Sequence, residues 1–149
     1  MKRRLIAPAL AAVVAVAGLA ACMQQSAIAP PIAYKAHLTA KDEVPPNGSA
    51  ATGDGTFVLN PATKELTWAV KFSGLSGPAL AAHIHGPAAA GANAGVAILF
   101  ETPNAPAGEI KGSTFLVTDQ VADLQAGKLY VNIHTAANKG GEIRGQLTP

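Results

Sequence analysis

Two of the chain's four histidines sit in one short stretch, "AAHIHGPA", from Ala81 to Ala88. His83 and His85 are two residues apart. On a strand, residues at i and i+2 point to the same face, about 7 Å apart along the chain. Ile84 then points inward and the two imidazoles point outward. A third histidine, His134, stands in "LYVNIHT". Three neutral imidazoles converging on one point suit a copper, zinc or nickel ion. The same residue types also serve proton handling or a hydrogen-bonded structural network.

The neighbours of these histidines have chemistry of their own. Leu129, Val131 and Ile133 alternate with Tyr130, Asn132 and His134, so the latter three share a polar face. Glu142 and Arg144 fall on the polar face of the next strand, across a hairpin. Asn132, Thr135, Glu142 and Arg144 are therefore the candidates to support the histidines from behind. Glu142 could accept a histidine N–H and fix its tautomer. The plainer expectation is an exposed Glu142–Arg144 ion pair of small energetic value. Asn132 and Thr135 could instead cap turns. Arg144 is the only cation placed to steer an anion. His37, on the polar face of the first strand, reads as an exposed strand histidine.

The elements that must position these residues are strands. Tyr34, Ala36 and Leu38 alternate with polar residues, and so do Leu66, Trp68, Val70 and Phe72. Ile143 and Leu147 alternate with Glu142, Arg144 and Gln146. Period two with one apolar face is the mark of a half-buried strand. The runs "GTFVLN", "VAILF" and "STFLVT" read as more deeply buried strands. Turns are signalled at Asn60–Lys64, Ser73–Gly74, Ser76–Pro78 and Asn138–Gly141. Gly141 and Gly145 read as a hairpin requirement and a close strand contact. The rigid loop "EVPP" spans Glu43 to Pro46. One segment, "TDQVADLQAGK", predicts a short helix with Thr118 as N-cap and Gly127 as stop. The pattern predicts an all-β fold: a Greek-key β-sandwich or flattened barrel of seven to eight strands with one short helix.

Ahead of the strands lies an export signal. Lys2, Arg3 and Arg4 precede an apolar run from Leu5 to Leu19, short for a bilayer core that needs about 20 residues. Leu19-Ala20-Ala21-Cys22 resembles a bacterial lipobox, so Cys22 is the expected lipidation site. The expected organisation is a lipoprotein signal peptide over 1–22, a flexible tether over 23–33 and a domain over 34–149. The protein is then extracytoplasmic and held to a membrane by its lipid. Met23, in place of an aspartate, leans toward the outer membrane.

Removing the signal also changes the charge. The chain carries 11 basic and 9 acidic residues, net +2. Without Lys2, Arg3 and Arg4, eight basic residues face nine acidic ones, net −1. No basic patch remains for nucleic acid. Cys22 is the only cysteine, so no disulfide is expected. No nucleophile elbow or activated cysteine is present, which argues against a hydrolase.

"KDEVPP" near the start, then "AAHIHGPA" and "LQAGKLYVNIHTAANKGGEIRGQL", in that chain order, resemble the CHRD domain family over Tyr34 to Leu147. The resemblance implies a β-rich fold and leaves the activity open. The histidine pattern is also similar to the copper half of Cu/Zn superoxide dismutase, a Greek-key barrel, with His83 and His85 at its H-x-H pair and His134 at its late-strand ligand. A bridging histidine, a zinc loop between Gly86 and Phe115, and paired cysteines are all missing. These readings together imply a copper site of His83, His85 and His134, with copper ahead of zinc, in copper handling or sequestration. An envelope interaction or structural module without metal is the alternative, its protein partner unknown. A copper-only, superoxide-dismutase-like enzyme ranks behind both.

Overall fold

The computed structural model describes residues 29–149; the expected signal segment, Cys22 and most of the expected tether lie outside the described residues. Eight strands follow in chain order: β1 Ile32–Thr39, β2 Thr52–Asn60, β3 Glu65–Ser73, β4 Ala81–His85, β5 Val96–Phe100, β6 Gly108–Phe115, β7 Tyr130–His134 and β8 Ile143–Gln146. Among the described residues one α-helix, α1 Thr118–Gln125, precedes β7. All pairings are antiparallel, in the order β5-β4-β7-β8-β1-β2-β3-β6.

This one sheet curls until its two ends nearly meet, giving an all-β barrel that is open along the β5–β6 seam. Trp68 of β3 stacks on Phe100 of β5 with ring centroids 4.5 Å apart, bridging the core beneath the seam. Leu38, Phe57, Leu66, Val70, Ile84, Ile133 and Ile143 fill the interior, from alternate positions of six strands. Each such residue contributes about 1.5–3 kcal/mol of apolar burial.

Three expectations need correcting. "VAILF" and "STFLVT" read as deeply buried strands, yet Val96, Leu99, Phe115 and Val117 are exposed. The reason is topology: β5 and β6 are the sheet's two edges. Chain order separates them from the centre, and composition cannot show that. The first strand begins at Ile32, inside the expected tether. The helix is capped from Val117, whose N–H is taken by the Gln120 side chain, not by a Thr118 cap. Gly127, at φ +67°, ends it as expected.

Gly145 shows how closely β8 packs on β1. A Cβ at this position would lie 2.5 Å from the carbonyl oxygen of His37 and 2.8 Å from its carbon. Backbone cannot move aside as a flexible side chain can. Gly145→Ala is expected to destabilise the fold by about 1–3 kcal/mol in urea unfolding. Gly48→Ala, where an added Cβ meets nothing within 4 Å, should cost far less.

Candidate metal centre

β7 lies between β4 and β8, and this order assembles the site. His83 pairs with Asn132, which pairs with Arg144; His85 pairs with Tyr130, which pairs with Gln146. His134 pairs with Ala81 at the end of β4. The three outward histidines thus meet across one strand boundary. The β4–β5 pairing slips by one residue at His85, leaving Ala97 as the bulged residue, and bulges of this kind re-aim side chains.

One nitrogen from each of His83, His85 and His134 lies within 4.8 Å of the other two. Ligand nitrogens held at 2.0–2.1 Å from a tetrahedral or trigonal ion are roughly 3.3–3.6 Å apart, so small ring rotations close the site. His134 Nδ1 donates to the Lys139 carbonyl at 3.0 Å, which leaves its Nε2 as an acceptor. His83 Nδ1 therefore donates to His134 Nε2, also at 3.0 Å. His85 Nδ1 donates to the Ala94 carbonyl at 3.0 Å. Its Nε2 then carries a lone pair, buried and without a hydrogen-bond partner. An unpaired buried acceptor costs about 1–3 kcal/mol.

The electrostatics favour the neutral form of His83 and His134. Burial, with repulsion from His134 and His85, lowers the His83 pKa to about 4. Burial also lowers that of His134, reinforced by His85 and opposed by the Lys139 hydrogen bond. A neutral ring keeps one lone pair that a metal ion can use, and at His134 an ion would take the place of the His83 hydrogen bond.

The expected supporting residues are all on or beside these strands, but their roles differ from expectation. Glu142 touches no histidine and forms no exposed ion pair with Arg144. Its buried carboxylate accepts from the Ser49, Ser76 and Thr135 hydroxyls and from the Ser76 N–H, at 2.6–2.8 Å. Burial pushes its pKa up, but these four hydrogen bonds outweigh burial and hold it at about 2. Thr135 Oγ1 also accepts from the Asn138 N–H, the expected turn cap. Asn132 is buried beside His83, and its amide reaches the Gly140 carbonyl.

Arg144 is 1% exposed, so it is not an anion-steering group at a channel mouth. It donates to the Ala92 carbonyl at 2.8 Å and to Asn93 Oδ1 at 3.3 Å. Its guanidinium carbon lies 3.4 Å from the centre of the Tyr130 ring. From the opposite strand, His85 stacks on Tyr130 at 5.1 Å and 7°. Tyr130 also accepts the Ala94 N–H, beside the carbonyl that orients His85. His37 is outside the cluster, exposed and bonded to Asp54 at 2.8 Å, as expected.

Several parts of the site were not predicted from the sequence. The loop of residues 86–95 supplies the His85 acceptor. Glu43, from "EVPP", is buried beside Asn132, and Gly141 at φ +134° has no room for a Cβ between these two side chains. Burial raises the Glu43 pKa to about 7 against the pull of Arg144. Only the packing of the 43–47 loop against Gly141 and Asn132 would have revealed this.

The fold and site define a nearly closed antiparallel barrel with a three-histidine cluster on its outer wall. The family model for the CHRD domain matches residues 34–147, and the chain belongs to that family. No curated protein and no solved structure matches it. The likeness to superoxide dismutase remains one of histidine spacing.

Acid should unfold the protein in two stages. His83 takes a proton in the unfolded chain near pH 6.5 but in the folded chain only near 4, so stability falls as pH drops from 6.5 to 4. Glu142 stabilises the fold above its unfolded pKa of 4.5, and that contribution is lost between 4.5 and 2. His83→Gln should flatten the first stage and Glu142→Gln the second, while lowering stability at pH 7 by about 2 kcal/mol. Urea midpoints measured from pH 7 to 3 check both.

Proposed function

We propose that this chain is a lipid-anchored, extracytoplasmic CHRD-domain protein that binds one copper ion through His83, His85 and His134. Its role is copper handling or sequestration outside the cytoplasm. The observation that carries this reading is His85 Nε2, a buried lone pair with no partner, on a ring clustered with two further imidazoles. The cluster contains no carboxylate and no thiolate. An all-imidazole set favours copper, which stands highest in affinity among divalent first-row ions. The lipobox ending at Cys22 supports the lipid anchor and the location.

A non-metal interaction module is the second reading. It is favoured by the hydrogen bonds that already tie His83 to His134 and His134 to Lys139. That network leaves His85 Nε2 unsatisfied, which a copper ion would correct.

Titration of the chain with Cu(I), Cu(II) and Zn(II) separates the two. One-to-one copper binding is expected, with zinc weaker, and weakened at least a hundredfold in the His83→Ala/His134→Ala variant. Equal, weak binding by both proteins would establish the second reading instead.

A further inference from the structure

Arg144 is an unusual residue to find at the back of a cation site. It is buried, and among the described residues no carboxylate lies within 4.0 Å of its guanidinium. Its partners are neutral: the Ala92 carbonyl, Asn93 Oδ1 and the face of Tyr130. Burying a cation without an ion pair is costly, and here two hydrogen bonds, a cation–π contact and the nearby Glu43 offset the cost in part. The charge lies one aromatic ring away from His85, since Tyr130 stands between β4 and β8.

We propose that Arg144 makes the histidine cluster selective for the monovalent ion, Cu(I), over Cu(II) and other divalent ions. This rests on the copper reading above. The three ligands are neutral imidazoles, so nothing in the cluster compensates a second positive charge on the ion. A buried unit charge about 10 Å away, at an effective dielectric near 20, disfavours each added charge on the ion by roughly tenfold in affinity. Salt screens it little, because the guanidinium is sealed from solvent.

The charged groups around Arg144 are few. Lys41 and Asp42 are exposed at the rim of the pocket that Arg144 lines. Glu43 is the one buried carboxyl nearby, beside Asn132 on the same covered face. Its pKa near 7 leaves it only partly ionised at neutral pH, so it balances the guanidinium incompletely.

The two groups give variants of opposite sign. The ratio of Cu(I) to Cu(II) affinity is read by anaerobic chelator competition for Cu(I), by titration for Cu(II), and by the copper midpoint potential. Arg144→Gln should reduce the preference for Cu(I) by about tenfold, and Arg144→Lys should retain most of it. Glu43→Gln, measured at pH 8 where Glu43 is ionised, should move the ratio the other way. A merely structural role for Arg144 weakens both ions alike and leaves the ratio unchanged, which would overturn the proposal. If Arg144→Gln does not fold, Glu43→Gln decides alone: a shift toward Cu(I) supports the proposal and no shift overturns it. Failure of the unsubstituted chain to bind copper at the three histidines would instead defeat the copper reading, and this proposal with it.

Discussion

The site depends on one constraint: the outer face of β4, β7 and β8 is polar yet covered. A strand in a single curled sheet has an inner apolar face and an outer face that normally meets water. Here the loops 40–51, 86–95 and 135–142 fold over that outer face. Tyr130, Asn132, Glu142, Arg144 and His85 are all at most 9% exposed. A polar atom beneath the loops is then stabilised by a partner in the protein, and most of them have one, His85 Nε2 being an exception. Such pairing fixes the ring orientations at His85 and His134 through the carbonyls of Ala94 and Lys139.

The covering loops are themselves tied down by the residues they bury. Glu142 gathers Ser49, Ser76 and Thr135, joining three separate loops through one carboxylate. Arg144 and Gln146 hold the 86–95 loop at Ala88, Ala92 and Asn93. Asn93 in turn reaches the Val44 carbonyl, which ties this loop to the one bearing Glu43. The result is a histidine cluster held in place through residues anchored on strands, the kind of support that fixes a ligand set that could hold an ion.

Much of this was legible in the sequence, and the boundary is physical. Period-two alternation identified the strands and their apolar faces, because side-chain direction is a local property of the backbone. It also placed His83, His85 and His134 on outer faces. What alternation cannot show is which strands are neighbours. The pairing of β4 with β7 converts three separated histidines into a cluster. The same limit hid the edge positions of β5 and β6, whose apolar runs look like a sheet centre. It made Glu142 and Arg144 look like exposed surface, since a polar strand face gives no hint that loops will cover it. Tyr130 and Glu43 became part of the site only through cross-strand stacking and loop closure. Composition contains no signal for either.

The most direct test is X-ray absorption at the copper edge of the loaded protein. Three nitrogen neighbours at about 2.0 Å, with the outer-shell scattering of three imidazoles, is the predicted result. A shell dominated by oxygen, or by a single imidazole, would contradict the three-histidine site.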